Sequence, residues 1–425
     1  MKKIFLFIAG ALMTFQSVAP QAAADCSREM APVVFVHGFL GSGDTWAPQV
    51  QRFIANGCCA DRFFAFDWNS LGATGADALL DEFIDSVLAV TGAGKVHLVG
   101  HSAGGSRGYS YLSVPERAAK VVSYVHVGSG ANASPAGPGG SVPTMNIWSA
   151  GDRIVPGRDI PGATNVRLEG ADHYQVATSA ETFENMYHFF TCKKPLVIEP
   201  VTAEVVKVGG RALTLGTNQP AAGVNIAIYR ADLLGNPAGN EVAKTIVEAD
   251  GSWGPVELAG NHSYIFFLTS DNPGFRKIIY YFEPFRNDNQ LVYLRTFPPA
   301  ASLAGLLLAA LPSDDSLSVI AVFSSGQAVV NGRDNLTVNG IPLSTPVLAD
   351  EKSTAISFFC YDDGRDGNGT GEPIRSFMAM PFLRGADIPV TTVRHETWTI
   401  EFNGRTIPVR NWSSKTDGVV IAVFK

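Results

Sequence analysis

The stretch KVHLVGHSAGGSRG, residues 95–108, joins an apolar run to a serine that is surrounded by glycines. The run KVHLV has the continuous hydrophobicity of a strand that is buried on both faces. Ser102 follows it within the pattern Gly-x-Ser-x-Gly, and a helical pattern comes next. Glycines at such a junction allow a sharp strand-to-helix turn that lifts the serine hydroxyl clear of the sheet. Because so short a motif also occurs in ordinary glycine-rich loops, the prediction of a nucleophile at Ser102 depends on the rest of the chain.

The flanking sequence repeats this alternation of strand and helix from Pro32 to Cys192. Helical faces are predicted over 76–90 and 179–190, with Thr178 and Glu181 as a capping box for the second helix. Continuously apolar strands that alternate with helices predict a mostly parallel sheet with helices on both faces, an α/β fold. The predicted strands are 33–38, 62–68, 95–102, 120–128, 144–152 and 165–170.

The pattern changes after Lys194, where short apolar runs separated by turn residues predict an all-β region. Two prolines, Pro195 and Pro200, bracket a predicted linker over 195–200. We expect a sandwich or barrel built from one module over 201–298 and a second over 299–425.

The first 24 residues have the pattern of a secretory signal peptide, with Lys2 and Lys3, an apolar core and small residues Ala22–Ala24. Cleavage removes two lysines and no acid, which lowers the formal net charge from −7 to −9. So acidic a chain is a poor ligand for nucleic acid. The apolar core is too short for a stable membrane anchor. We expect a secreted protein, periplasmic if the source has an outer membrane, with the α/β domain over 25–194.

A serine nucleophile on this fold needs an acid and then a histidine later in the chain. His173, in the loop GADHYQ, follows the last predicted strand of the α/β part and lies outside the predicted helices, whereas His188 lies inside the last helix, so His173 is the expected base. Asp152 ends the strand TMNIWSAGD at the same sheet edge and is the expected acid. Asp159 is the second choice for the acid, while Asp172 is too close to His173 to reach its ring.

An oxyanion site needs two backbone N–H groups that point at one position. Ala103, directly after the nucleophile at the start of a helix, is the expected first donor. The second is expected from the loop HGFLGSGDTW, where Phe39 follows His37 and Gly38. Ordinary glycine turns remain the alternative interpretation of both loops.

The segments VVFVHGFLGSG, VGHSAGG, SAGDRIVP and GADHY together resemble lipases and esterases of the α/β-hydrolase superfamily. With the β-rich second half, the chain resembles secreted bacterial two-domain long-chain lipases, in which a β-rich C-terminal region binds lipid. The resemblance implies that the second module, 299–425, binds lipid or substrate. Residues 208–285 also resemble a transthyretin-like module. The resemblance assigns Ser102, His173 and Asp152 to the triad and Phe39 and Ala103 to the oxyanion hole.

The implied function is hydrolysis of carboxylic esters, such as triacylglycerols at an oil–water interface, without a cofactor or metal. Two alternatives stay open: an extracellular polyester depolymerase, and a lipid- or surface-binding protein with an inactive hydrolase domain. Lipases of this kind often carry a helical lid, but residues 128–143 are too rich in glycine and proline for one. The site is expected to be open or covered by the apolar stretch 303–311. The acidic loop 362–372 fits a solvated hairpin turn better than a calcium loop.

Five cysteines remain after cleavage of the predicted signal peptide, and four of them are expected at the sheet end opposite Ser102. On the resembled fold, the first and last helices cover the same face. Cys26 and Cys192 are therefore predicted to pair each with one of Cys58 and Cys59, with Cys360 free. Which of the two takes which partner is left open, and a single bridge is the alternative.

Overall fold

A computed structural model describes residues 26–425 except 73, 299–301, 303–304, 306–307, 379–381 and 391–395. The predicted signal peptide lies outside the described residues, as does part of the stretch 303–311. No helix of the described part of the chain is both long enough and apolar enough to cross a membrane.

The N-terminal part is built on a six-stranded parallel sheet with the order β2-β1-β3-β4-β5-β6. Every residue of the neighbouring interior strands β1 and β3 is buried, which explains their continuous hydrophobicity. The predicted α/β fold is confirmed. The strands are β1 (Val33–Val36), β2 (Phe63–Phe66), β3 (Val96–His101), β4 (Val121–Val127), β5 (Thr144–Ser149) and β6 (Thr164–Leu168).

Helices cover both faces of this sheet. On one face, α1 and α6 bury Phe53, Phe183 and Met186, and on the other α2 buries Leu80 and Ile84. Each such side chain contributes roughly 1.5–3 kcal/mol by leaving water. The helices are α1 (Ala47–Ala55), α2 (Ala76–Thr91), α3 (Ala103–Leu112), α4 (Pro115–Ala118), α5 (Gln175–Thr178) and α6 (Ala180–Thr191).

The predicted capping box of α6 is wrong by one residue. Ser179 is the N-cap, and its Oγ accepts the N–H of Thr182 at 3.2 Å. Thr178 instead ends α5, where its hydroxyl lies 2.7 Å from the carbonyl oxygen of Gly326. Glu181 lies in the first turn of α6, where a carboxylate favours the helix dipole.

The described residues of the C-terminal part form three β-sheets and a short 3₁₀ helix, Arg375–Phe377. The orders of the sheets are β10-β7-β13, β18-β17-β14-β21-β12-β11-β8-β9 and β16-β15-β19-β20. The strands are β7 (Val205–Thr214), β8 (Asn225–Ala231), β9 (Pro237–Ile246), β10 (Ser252–Ala259), β11 (His262–Thr269), β12 (Ile278–Phe285), β13 (Asn289–Thr296), β14 (Ile320–Ser324), β15 (Leu336–Val338), β16 (Ile341–Pro342), β17 (Ser357–Tyr361), β18 (Leu383–Asp387), β19 (Thr397–Phe402), β20 (Arg405–Arg410) and β21 (Val419–Phe424).

The eight-stranded sheet lies between the two smaller ones. Along β12, Ile278 and Tyr280 pack toward the three-stranded sheet, while Ile279 and Tyr281 pack toward the four-stranded sheet. This alternation follows from the two-residue period of a strand. The parallel pairing of β12 with β21 carries the sheet across the module boundary expected at residue 298. The two expected modules therefore share one sheet and both of its cores.

The loop 362–372 is not a hairpin turn, because the strands on either side of it, β17 and β18, pair in parallel. It belongs to a crossover connection. Asp362 stabilises it by accepting the N–H of Gly367 at 2.7 Å, and Asp387 accepts the N–H of Asp363 at 2.9 Å. In the part of the chain that is described, no group of three histidine, cysteine or acidic side chains is arranged to hold a metal ion.

The hydrolase part and the β region share a hydrophobic core. Leu213 of β7 and Tyr293 of β13 pack into the cluster that also contains Phe53 and Phe183. The hydroxyl of Tyr293 donates to Asp67 Oδ2 at 2.8 Å. The β region therefore packs directly beside the loops that carry the candidate site.

One disulfide forms, between Cys26 and Cys59. The predicted second bridge to Cys192 is wrong, and Cys360 is free in β17 as predicted. Cys58 is free and packs into the hydrophobic core, where burial raises the pKa of its thiol to about 11. Cys192 is exposed at the end of α6.

Candidate active site

Ser102 lies on a sharp turn between β3 and α3. Its backbone adopts φ 55° and ψ −121°, a strained conformation for a residue with a side chain. A Cβ at Gly100 would lie 2.4 Å from the carbonyl oxygen of Gly104, and one at Gly104 would lie 2.4 Å from that of Val36. Only glycine fits at these two positions, which explains why the predicted motif has glycine on both sides of Ser102.

The structure brings Ser102, His173 and Asp152 together. His173 Nε2 lies 2.9 Å from Ser102 Oγ, and His173 Nδ1 lies 2.7 Å from Asp152 Oδ2. Since a carboxylate only accepts, Nδ1 carries the proton and Nε2 offers a lone pair to the serine hydroxyl. His173 and Asp152 are 4% and 6% exposed, so water screens their interaction little.

Asp152 is held as a carboxylate. Its Oδ1 accepts the backbone N–H groups of Ile154 and Val155 at 2.8 and 2.9 Å, while Oδ2 faces His173. Burial alone would raise its pKa, but the hydrogen bond from His173 and those from the backbone outweigh burial and lower the pKa. The carboxyl can therefore steady a positive charge on the imidazole.

The other two aspartates considered as the acid of the triad form hydrogen bonds with other residues instead of with His173. Asp159 Oδ1 accepts the indole N–H of Trp148 at 2.9 Å. Asp172 accepts the N–H of Tyr174 at 2.9 Å and pairs with Arg333 of the β region at 2.9 Å.

His101, in the last position of β3, is a contact of His173 that the sequence prediction did not include. Its Nε2 donates to the carbonyl oxygen of His173 at 2.8 Å, and the two rings lie 4.7 Å apart between centroids. Burial lowers the pKa of His101 to about 3, so it is neutral. This hydrogen bond from β3 stabilises the loop that carries His173. The only local signal is its place directly before Ser102.

The two expected oxyanion donors lie on loops that meet at Ser102. Ala103 is the first residue of α3, where backbone N–H groups have no partner within the helix. A Cβ at Gly38 would lie 3.0 Å from Ser102 Cβ, so the peptide that contains the Phe39 N–H passes close to the serine. Their role as donors stays a prediction.

An apolar cavity of about 140 Å³ lies between the hydrolase part and the β region. Its lining includes Phe39 and Tyr174, the residue after His173. Phe382 of the β region contacts both rings, at centroid distances of 6.4 and 5.9 Å. The β region also contributes Leu308, Phe323, Ile421 and Val423 to the lining.

The covering of the site agrees in part with expectation. Residues 128–143 are all described and contain a single 3₁₀ turn, Pro138–Gly140, with no α-helical lid. Leu308, within the apolar stretch expected to cover the site, is buried and lines the cavity. Several neighbours in that stretch lie outside the described residues, so its role as a cover stays a prediction.

The fold and this constellation define an α/β hydrolase that is followed by an all-β C-terminal region. Residues 33–220 match the model of the α/β-hydrolase family, and residues 204–299 match that of the lipase C-terminal domain. A further C-terminal domain model matches residues 324–425. The chain thus resembles lipases and esterases of the α/β-hydrolase superfamily, as its motifs predict.

Solved structures similar to this chain include a lipase from Bacillus licheniformis in its mature form, with 16% identity and a TM-score of 0.30, which covers 39% of this chain and 94% of that one. The naproxen esterase of Bacillus subtilis has 14% identity and a TM-score of 0.31, and the match covers 39% of this chain and 86% of the esterase. An α/β hydrolase from the metagenome of lagoon sediments of Mar Chica, Morocco, has 19% identity and a TM-score of 0.31. The match covers 38% of this chain and 90% of that hydrolase.

Proposed function

We propose that this protein hydrolyses carboxylic esters through an acyl-enzyme on Ser102, and that it acts as a lipase. One observation carries the proposal: the hydrogen-bonded chain from Ser102 Oγ through His173 to Asp152, on a strained turn at the end of a sheet strand. A hydroxyl is a weak nucleophile until a neighbouring base takes its proton. His173 Nε2, at 2.9 Å, is placed to do so.

The proposed reaction has two halves. As Ser102 Oγ attacks the ester carbon, its proton moves to His173 Nε2, and Asp152 stabilises the imidazolium. The N–H groups of Phe39 and Ala103 bind the oxygen that becomes negative. His173 then gives the proton to the departing alcohol. A water, deprotonated by His173, attacks the acyl carbon, and His173 passes that proton to Ser102 Oγ as the bond to the acyl group breaks and the acid is released.

The proposed substrate carries an apolar acyl chain, because the cavity beside Phe39 and Tyr174 is lined mainly by aliphatic and aromatic side chains. Burial of one methylene contributes about 0.8 kcal/mol, which corresponds to a factor of about 4 in an equilibrium or rate constant. Binding of the acyl chain in this cavity, between the two parts of the protein, would make the β region part of the substrate site.

Secretion belongs to the same proposal. The predicted signal peptide over 1–24 and the Cys26–Cys59 disulfide both fit an oxidising compartment. The proposed partner is lipid at an oil–water interface, without a cofactor.

A chain-length series of p-nitrophenyl esters and an emulsified triacylglycerol test the proposal. We expect kcat/KM to rise about fourfold per methylene from two carbons until the cavity is full, with triacylglycerol cleaved as well. Release of soluble acids from a polyester film, without triacylglycerol cleavage, would favour a depolymerase. Lipid binding without hydrolysis of any ester would favour an inactive hydrolase domain.

A further inference from the structure

Asn218 of the β region reaches across to the loop that precedes α1. It lies between β7 and β8 in the left-handed conformation, φ 54°, and is 6% exposed. Its Nδ2 lies 2.9 Å from the carbonyl oxygen of Gly41, 3.1 Å from that of Trp68 and 3.2 Å from His37 Nε2. All three contacts are with the hydrolase part.

The direction of the Phe39 N–H depends on the carbonyl group of Gly38, since both belong to one planar trans peptide and point in opposite directions. The Gly38 oxygen is anchored twice. His37 Nδ1 donates to it at 2.7 Å, and the N–H of Gly41 donates at 3.1 Å. An anchored carbonyl oxygen fixes the direction of the N–H on the other side.

His37 can donate from Nδ1 only if that nitrogen carries the proton. Its Nε2 accepts the backbone N–H of Trp68 at 3.2 Å and faces the amide of Asn218 at the same distance. The Trp68 N–H at Nε2 selects the tautomer with hydrogen on Nδ1, and the Asn218 amide packs against the same nitrogen. Burial lowers the pKa of His37, which keeps the ring neutral.

The amide of Asn218 is itself oriented by Arg295 of β13. Arg295 Nη1 donates to Asn218 Oδ1 at 3.0 Å, which turns Nδ2 toward His37. Arg295 Nη2 lies 2.8 Å from Asp44 Oδ1, further along the loop of Phe39. The guanidinium therefore joins Asn218, within the β region, to Asp44 of this loop.

We propose that Asn218, oriented by Arg295, is a positioning residue for the oxyanion hole: its amide bridges the carbonyl oxygens of Gly41 and Trp68 beside His37. This holds the His37 ring and the Gly41 turn against the Gly38 carbonyl, and so directs the Phe39 N–H toward the reacting oxygen. The inference rests on the proposed function, because it assumes that Phe39 is an oxyanion donor. It gives the β region a second role in catalysis, besides lining the acyl cavity.

The test compares Asn218→Gly with Asn339→Gly in the full chain. Glycine adopts positive φ freely, so each change removes a side chain without backbone strain. Asn339 is exposed at φ 50° in a turn of the same region and serves as the matched control. The readouts are kcat and KM for a short soluble ester and Ki for a trifluoromethyl ketone, whose oxyanion occupies the hole.

Loss of one donor typically lowers kcat about 10²–10³-fold, so a misdirected donor is expected to lower it roughly 10–100-fold. For Asn218→Gly we expect this loss in kcat, KM within about threefold, and Ki weakened by the same factor as kcat/KM. Asn339→Gly should match the wild type. In Arg295→Lys a single ammonium group replaces the two-pronged guanidinium and cannot contact both Asn218 and Asp44 in the same way. This variant should show a smaller loss of kcat, with a matching increase in Ki.

Activity of Asn218→Gly and Arg295→Lys within twofold of the wild type would overturn the inference. So would a loss of kcat without a matching loss of affinity for the ketone. If Asn218→Gly does not fold, Arg295→Lys decides. Failure of the proposed function is recognised separately, because Ser102→Ala would then remain active.

Discussion

Replacement of Asp152 by Asn tests the assignment of the acid. The Asn oxygen can still accept the N–H groups of Ile154 and Val155, so the loop is expected to keep its shape. The NH₂ group then replaces Oδ2, which lies 2.7 Å from His173 Nδ1. Two N–H groups cannot face each other at that distance, so Nδ1 must become the acceptor.

The consequence is a proton on the wrong nitrogen. With Nδ1 as acceptor, His173 carries hydrogen on Nε2 and points it at Ser102 Oγ, 2.9 Å away. The ring can no longer take the serine proton, and no carboxylate stabilises the imidazolium. The expected loss in kcat is about 10⁴-fold, or about 5.4 kcal/mol of transition-state stabilisation.

The assay is steady-state hydrolysis of a short p-nitrophenyl ester at pH 8, with circular dichroism to verify folding. Asp159→Asn is the matched control, because Asp159 was the other candidate acid and contacts Trp148 instead. We expect Asp159→Asn to retain full activity. A loss below tenfold for Asp152→Asn, or an equal loss for both variants, would refute the assignment.

Three further predictions concern stability. Gly104→Ala should abolish activity and lower Tm, since its Cβ would lie 2.4 Å from the oxygen of Val36, while Gly94→Ala, which meets no atom within 4 Å, should change neither. Loss of the Cys26–Cys59 bridge by Cys26→Ser should lower the free energy of unfolding by about 4 kcal/mol for its separation of 33 residues, without changing kcat of the folded protein; an unchanged urea midpoint would contradict this. Three buried histidines have pKa values lowered by burial, so below about pH 6.5 the unfolded chain binds more protons than the folded chain. The free energy of unfolding should therefore fall as the pH drops from about 6.5 toward 4, by up to about 1.4 kcal/mol per pH unit for each histidine. They are His97, His101 and His126, with pKa values of about 4, 3 and 4. Urea titrations from pH 4 to 8 measure this slope, and His126→Gln should flatten it.

The hydrolase part was predictable because its signals are local. Strands buried on both faces are continuously apolar, so all six were located to within three residues at either end. The positions of Ser102, Asp152 and His173 follow from the strand ends that carry them. That they form one hydrogen-bonded chain is seen only in the structure.

The β region was harder because its short apolar runs resemble one another. The pairing of β12 with β21 joins residues about 140 positions apart, and no local pattern specifies the partner of a strand. The prediction of the disulfide pairing failed for a related reason: it needs the direction of each cysteine side chain, which no local pattern specifies. The topology placed Cys58 and Cys59 at the correct sheet end, but only the fold shows which of them faces Cys26.

Contacts between the two parts have no sequence signal at all. Asn218 sits in a turn sequence that any β protein could contain, and its contact with His37 spans 181 residues. The same holds for Phe382, which reaches Phe39 and Tyr174 from β-region sequence.

The central claim is that Ser102 is the nucleophile of an ester hydrolase, and reaction with a fluorophosphonate tests it most directly. Phosphonylated serine is stable, so peptide mapping by mass spectrometry locates the modified residue. We expect one adduct per chain, on Ser102, formed in parallel with loss of ester hydrolysis, and neither adduct nor hydrolysis in Ser102→Ala. An adduct on another residue, or a Ser102→Ala variant that still hydrolyses esters, would contradict the account.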